Sequence, residues 1–417
     1  MSTVTISATS VSGVAKAPPS KSAAHRALIA AALSGNSRVE GILPSQDMEA
    51  TLRCLQALGC TPTVEGDTVH FSSVGDGAAV ADCGESGSTL RFFVPIFAAL
   101  GKEVTFVGKG RLPARPMTVY EDCLPPHGVT LTRPSCEGGI LRVQGRLQGG
   151  EYRVAGDVSS QFITGLLFAL PLCEQDSTIV LTSPLQSGGY VDMTLEILRQ
   201  AGIVVTKTDD GYKIKGSQTY RLLDHTVEGD WSQAAFWLVA AAVGGELAVA
   251  GLRRDSLQGD KRIESLLAEM GAEIRWQDDV LLCRKAPLRA VRADVSDIPD
   301  LVPILSVAAS AATGTTELYN AARLRLKESD RLQTTSAMIR ALGGDVTEEE
   351  AALLVTGTLL TGGTVDGAND HRIVMSAAVA ALRCAQAVTI TDAHSVAKSW
   401  PSFLEEYAKI GGMIHEL

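Results

Sequence analysis

The absences in the chain narrow its chemistry first. No two of its eight cysteines form a CxxC pair, and no cysteine or histidine spacing suits zinc or any other metal. Gly-Lys is never followed by Ser or Thr where a Walker A loop needs it, and no dinucleotide fingerprint, HExxH helix or GxSxG elbow occurs. A reaction on small anions with no metal and no cofactor is the chemistry left. Positive charge is also in deficit: 37 basic against 47 acidic side chains give a formal net charge of -10, which removes nucleic acid as an expected partner. A negative protein that binds anionic metabolites must gather its cations locally. No apolar run approaches the roughly twenty residues of a membrane helix. The first residues lack the pattern of a secretory leader, running from the strand-like Val4 to Ile6 stretch soon into Pro18. Together with scattered thiols, read as reduced and mostly buried, this leads to the expectation of a cytoplasmic protein without a membrane partner.

What is present is repetition. The 417 residues are too many for one ordinary core, so two domains are expected, and 45% apolar with 20% charged residues suits a packed globular enzyme. A short polar turn followed by an Ala-rich helix of small residues recurs six times. The first three copies are PPSKSAAHRALIAAALSG from Pro18, ESGSTLRFFVPIFAALG from Glu85 and VSSQFITGLLFALPLC from Val158. The others are GDWSQAAFWLVAAAVGG from Gly229, DIPDLVPILSVAASAATG from Asp297 and ANDHRIVMSAAVAALRC from Ala368. They start about 65 to 75 residues apart, the mark of a repeat architecture. A second, more amphipathic helix is expected after each, near Met48, Pro116, Tyr190, Lys261, Glu328 and Pro401. In MEATLRCLQALG, for example, Leu52, Leu55 and Leu58 share one face. Several of these helices run through Gly into β-rich segments, as in LRQAGIVVTK. Six such units give an α/β protein.

The first helices have few polar residues after their opening turn and are expected to be buried. Their N-termini carry Lys21 and Ser22, Gly87 and Ser88, Ser159 to Gln161, Asp300, and Asp370 to Arg372. Unpaired N–H groups and a partial positive charge make such ends receptive to phosphate and carboxylate. Ser and Asp there serve equally as simple N-caps. For Lys21, Ser22 and Arg26, an anion site and a solvated helix start both stay open. The loop from Gly108 to Pro116 holds Lys109, Arg111 and Arg115, and can present Arg111 for a bidentate contact to an oxyanion. Lys327-Glu328-Ser329-Asp330-Arg331 reads either as a solvated charge run or as a site. Asp370-His371-Arg372 is harder to explain by structure alone, because such a loop has little need of Arg.

Read together, PPSKSAAHRALI, SGSTLRF, GRLPARP, VSSQF, IPD, RLKESDRL, ANDHR and VAKSWPSF resemble the 5-enolpyruvylshikimate-3-phosphate synthase family, in its order and spacing, from Lys21 to Lys398. The resemblance implies a two-domain enolpyruvyl transferase fold of six βαβαββ repeats, an inside-out α/β barrel with three repeats per domain. Residues 20–227 would form the first domain, and 1–19 plus 228–417 the second, with the active site in a cleft between them. The implied activity is 3-phosphoshikimate 1-carboxyvinyl transfer from phosphoenolpyruvate in the shikimate pathway to chorismate and aromatic amino acids. Shikimate 3-phosphate would be bound by Lys21, Ser22, Arg26, Ser159, Ser160, Gln161, Ser187, Tyr190, Asp300 and Lys327. Phosphoenolpyruvate would be bound by Lys21, Gly87, Arg111, Gln161, Arg331, Arg372 and Lys398. Asp300 would accept the proton, Glu328 would donate one, and Lys21 would assist catalysis. A monomer is expected.

The chain departs from the common family pattern at several points. Glu85-Ser86 stands where Asn-Ala is frequent, Ser88 replaces Thr, Phe92 takes a usual Pro position, Trp400 replaces Phe, and Arg323 replaces an Asn. The related transferase acting on a UDP-sugar typically carries a reactive Cys in the loop matching Gly108 to Pro116, and this loop has none. A noncatalytic anion-binding repeat protein would need Asp300 and Glu328 to be merely structural. An RNA-modifying enzyme sits badly with the negative charge.

Overall fold

A helix with apolar residues on every face is driven into the interior. All fourteen residues of Trp231–Gly244 are buried, and most of its five counterparts is too. The structure, a computed structural model, describes residues 2–72, 75–222 and 224–416. Met1 and Leu417, the outer limits of the second expected domain, and Ser73, Val74 and Leu223 of the first lie outside the described residues.

In chain order the helices are α1 (Lys21–Ser34), α2 (Gln46–Ala57), α3 (Gly87–Ala99), α4 (Thr118–Cys123), α5 (Ser160–Ala169) and α6 (Gly188–Gln200). They continue as α7 (Trp231–Gly244), α8 (Arg262–Met270), α9 (Val302–Ser310), α10 (Arg331–Ala341), α11 (His371–Ala380) and α12 (Phe403–Lys409). The odd-numbered helices are the apolar ones. The even-numbered helices follow them, as the amphipathic pattern predicts: in α2, Leu55 is buried while Leu52 is half-buried.

Each pair of helices belongs to a four-stranded sheet, and six such sheets occur among the described residues. All share one plan. Around α3, strand Val80–Asp82 runs parallel to Val104–Val107, which pairs antiparallel with Gly139–Gly145, and Val129–Thr132 lies at the far edge. This is the βαβαββ unit expected from the repeat, a mixed α/β fold.

The chain divides into two compact units, Lys21–Val227 and Met1–Ser20 with Glu228–Leu417. We call them the inserted unit and the split unit. Among the described residues each contains three apolar helices and three four-stranded sheets: α1, α3 and α5 in the inserted unit, α7, α9 and α11 in the split one, which adds a two-stranded sheet. Two strands sit out of chain order. Val11–Lys16, which precedes α1, runs parallel to Gly245–Ala250 after α7. Asp224–Thr226, which precedes α7, runs parallel to Ser37–Glu40 after α1. The strand Val4–Ser7 completes the last sheet of the split unit, between Val388–Thr391 and Met413–Glu416.

Within the inserted unit, α3 and α5 touch at Gly165, where a Cβ would come 2.3 Å from the Arg91 carbonyl and 2.2 Å from the Tyr120 hydroxyl. No side chain fits there. The Tyr120 hydroxyl lies 2.7 Å from the Arg91 carbonyl and 3.0 Å from that of Phe162, so it ties the two helices together at the crossing. Among the described residues, no helix is long and apolar enough to cross a membrane.

Candidate active site

In the inserted unit the polar residues gather at the N-terminal ends of α1, α3 and α5. Lys21 opens α1 and donates to Asp47 Oδ2 at 2.7 Å, a residue of α2. Arg26, one turn further, is buried and held by uncharged groups. It donates to Thr194 Oγ1 at 2.8 Å, to the Ser22 carbonyl at 2.6 Å and to the Tyr190 carbonyl at 2.8 Å. Its guanidinium also lies 5.3 Å from the Phe92 ring centre and 5.9 Å from that of Tyr190. Burial pulls the Arg26 pKa down to about 10, against the influence of Tyr190.

Ser159 caps α5, accepting from the Gln161 amide at 3.4 Å, so the simple N-cap reading holds for it without removing its hydroxyl from the site. Ser160 begins the same helix and is buried. Gln161 joins α5 to α3: its Nε2 donates to Ser88 Oγ at 2.9 Å, and its Oε1 accepts from Arg91 Nη1 at 2.6 Å. Ser187 precedes α6 in the left-handed conformation at φ 58, a strained setting for a side-chain-bearing residue.

The loop after Gly108 differs from expectation. Arg111 is exposed, whereas the Arg115 guanidinium lies against Gly87, where a Cβ would come within 2.4 Å of Nη1. Gly87 has no side chain because a guanidinium occupies that space. Glu85 in turn lies against Gly110, its carboxylate 2.5 Å from where a Cβ would be.

The split unit brings together nearly every charged residue expected of it. Arg331, at the start of α10, donates through Nη1 to Asp300 Oδ1 at 2.9 Å and through Nη2 to Glu328 Oε2 at 2.6 Å. Its Nε donates to Asp370 Oδ2 at 2.9 Å. Arg372 Nη2 donates to Asp300 Oδ2 at 2.9 Å, and Lys327 Nζ to Asp300 Oδ1 at 3.3 Å. Although burial alone would lower it, three carboxylates, Asp370 foremost, push the Arg331 pKa above its ordinary value. Burial would raise Asp370, but Arg331 and His371 hold it below the usual carboxylate range. Lys327 goes the other way: burial lowers its pKa despite the pull of Asp300.

The turn before α11 is strained as well as charged. Ala368 and Asn369 both take the left-handed conformation, at φ 51 and 52, and Asp370 then caps the helix by accepting from the Arg372 amide at 3.0 Å. The strain exposes the Asn369 carbonyl to Lys398 Nζ, which donates to it at 2.7 Å. Lys398 is steadied by the two residues after it. Trp400 is buried 5.1 Å from the Trp237 ring and 5.3 Å from Phe403, and Ser399 Oγ accepts from Gln233 Nε2 at 3.1 Å. Trp400 therefore anchors the lysine loop in an aromatic cluster. Arg323 donates to the Ser296 carbonyl at 2.8 Å.

Four residues of these networks were not expected from sequence: Asp47, Arg91, Arg115 and Asp260. Asp260 is buried beside Ser232, whose hydroxyl donates to its Oδ2. Burial, and then the nearby charge of Asp300, raises its pKa to about 7.

The chain resembles known proteins along its whole length. The chain is 43% identical over 425 residues to the 3-phosphoshikimate 1-carboxyvinyltransferase of Clostridium kluyveri, covering 100% of this chain and 99% of that protein. To the same-named protein of Clostridioides difficile it is 38% identical over 433 residues, again covering 100% and 99%. Among solved structures, an EPSP synthase from Acinetobacter baumannii superposes with a TM-score of 0.82 at 25% identity, over 100% of both chains. The enolpyruvyl transferase NikO from Streptomyces tendae shares the fold, with a TM-score of 0.83 at 18% identity, over 100% of this chain and 99% of its own. A sequence profile of EPSP synthase (3-phosphoshikimate 1-carboxyvinyltransferase) matches residues 6–407, and the chain belongs to that family.

Proposed function

We propose how the side chains divide the work of the family's reaction. The enzyme transfers the enolpyruvyl group of phosphoenolpyruvate to the 5-hydroxyl of shikimate 3-phosphate, giving 5-enolpyruvylshikimate 3-phosphate and phosphate, in the shikimate pathway. The hydroxyl loses its proton as its oxygen bonds to C2 of phosphoenolpyruvate, and C3 gains a proton. The tetrahedral adduct then loses phosphate as the new methyl group gives a proton back. Two proton carriers are required, and positioned acid/base groups contribute about 100- to 10,000-fold each.

Asp300 takes the hydroxyl proton and Glu328 supplies the proton to C3. One observation carries this assignment: a single buried guanidinium, Arg331, donates to both carboxylates and fixes their spacing. Lys327, with its lowered pKa, lies beside Asp300 and faces the shikimate ring. Shikimate 3-phosphate is held by Lys21, Ser22, Arg26, Ser159, Ser160, Gln161, Ser187 and Tyr190. The left-handed backbone at Ser187 and the uncharged partners of Arg26 support this. Phosphoenolpyruvate meets Lys21, Gly87, Gln161, Arg331, Arg372 and Lys398. We assign its loop arginine to Arg115 rather than Arg111, because Arg115 lies on Gly87 and Arg111 is exposed. Preorganised cations in these positions stabilise charge as it develops on the departing phosphate.

The reading also has the enzyme working as a monomer in the cytoplasm. Eight free cysteines, seven of them buried, support the location, and sedimentation tests the monomer. The function itself is tested by phosphate release from phosphoenolpyruvate with shikimate 3-phosphate or UDP-N-acetylglucosamine as acceptor; release with the second alone would refute it. Arg115→Met should raise the KM for phosphoenolpyruvate, and Arg111→Met should not.

A further inference from the structure

A chain of buried hydroxyls runs from α1 to α3, and no step of the reaction above uses it. His25 Nδ1 on α1 lies 2.7 Å from Thr51 Oγ1 on α2, and Thr51 Oγ1 lies 2.8 Å from Thr89 Oγ1 on α3. Thr89 Oγ1 donates to Ser86 Oγ at 2.8 Å, and the Thr89 amide donates to the same oxygen at 3.3 Å, which makes Ser86 the cap of α3. All four side chains are buried, none above 2% exposed.

The direction of the chain follows from counting protons. A threonine hydroxyl has one proton to give. Thr89 gives its proton to Ser86, so Thr51 must give its own to Thr89. Only a proton on His25 Nδ1 can then satisfy Thr51. His25 therefore carries a proton on Nδ1, and Nε2 has no hydrogen-bond partner among the described residues to receive a second one. Burial, and then the charges of Lys21 and Arg26, keep the ring neutral by lowering its pKa well below the ordinary value.

This chain ends on the residue before Gly87. The other side of the same turn is held by Gln161 on Ser88. The side chains proposed for shikimate 3-phosphate on α1 make their hydrogen bonds away from that turn, Lys21 to Asp47 and Arg26 to Thr194 and the Tyr190 carbonyl, with the Phe92 ring of α3 the contact Arg26 shares with that helix. We infer that His25 and Thr51 are positioning residues that set the opening turn of α3 against α1, and so tune the affinity for phosphoenolpyruvate while leaving that for shikimate 3-phosphate alone. This rests on the placement of phosphoenolpyruvate at Gly87.

Thr51→Val keeps the shape and removes the hydroxyl, leaving the His25 donor and the Thr89 acceptor unanswered. The KM for phosphoenolpyruvate should rise about tenfold, with that for shikimate 3-phosphate within about twofold of the parent. Thr51→Ser, which keeps the proton relay, should restore the first value. Equal rises for both substrates, or a Ser variant no better than the Val one, would overturn the inference. The unmutated enzyme offers a second readout that needs no variant to fold: nitrogen NMR of histidine-labelled protein should show one neutral ring protonated on Nδ1, the signal lost in His25→Gln. A ring protonated on Nε2 instead would refute the relay. Gly87→Ala separates the relay from the placement. If it raises the phosphoenolpyruvate KM while Thr51→Val does not, the relay falls alone; if neither does, the placement at Gly87 falls with it.

Discussion

Arg26 in the inserted unit and Arg331 in the split unit are both removed from water, at 3% and 1% exposed, yet they are held in opposite ways. Arg26 rests on hydroxyls, carbonyls and ring faces, with no carboxylate within ion-pair distance among the described residues, and its pKa is drawn down. Arg331 sits among Asp300, Glu328 and Asp370, and its pKa is driven up. A buried cation whose contacts are all neutral keeps its charge for an incoming anion. A buried cation already matched by three carboxylates holds Asp370 ionised and fixes Asp300 and Glu328 in place. On the proposed assignment, the inserted unit seizes a phosphate and the split unit moves protons.

If that contrast is right, the largest effect belongs to the proton carriers. Asp300→Asn keeps the shape and removes the charge; kcat should fall by about 100- to 10,000-fold, while calorimetry still detects shikimate 3-phosphate. Unchanged turnover would remove the assigned base. Next comes Arg331→Met, which leaves three carboxylates facing one another. Stability by urea unfolding should drop by about 3–5 kcal/mol, the range for breaking a buried ion pair from one side. Arg26→Met strands no carboxylate, so it should cost less stability than Arg331→Met but weaken shikimate 3-phosphate about 10- to 100-fold, the worth of charge-assisted hydrogen bonds. A stability loss equal to that of Arg331→Met would erase the distinction.

The last effect concerns pH. Asp260 ionises near 3.8 when unfolded and at about 7 in the folded protein. Between those values the folded state binds more protons than the unfolded one, so this group's contribution is full below pH 3.8 and is lost as pH rises through 7. Asp260→Asn should flatten that part of the stability profile, measured by melting from pH 5 to 8, relative to the parent. An unchanged slope would mean the group titrates normally.

Much of this could be read from the residues, and the exceptions have physical causes. The six apolar helices were legible because a helix with no polar face can only be buried. The charged residues at their starts were legible because an Arg or Lys there needs a partner. The loop between Gly108 and Pro116 shows the limit: spacing within a Gly/Pro-rich turn cannot tell which of Arg111 and Arg115 swings toward Gly87, and the backbone chose the second. Arg91 does carry a signal, an arginine inside an otherwise apolar helix, and its partner is Gln161. Asp260 carries none, since it follows Gly259 in an ordinary polar turn and becomes unusual only through burial near Asp300. The strand pairing of Val11–Lys16 with Gly245–Ala250 could not be read from the residues, which are far apart in sequence, and only the resemblance implied that 1–19 joins 228–417.

Those displaced strands bear on how the protein is made. On the ribosome the inserted unit is complete once Val227 has emerged, with every strand partner in hand. The strand Val4–Ser7, although translated before α1, must wait for Val388–Thr391. At about 5–20 residues per second that delay is roughly 20 to 80 s. Val4–Ser7 is therefore among the last of these strands to be paired, and trimming it would injure the split unit while sparing the inserted unit that follows it in the chain.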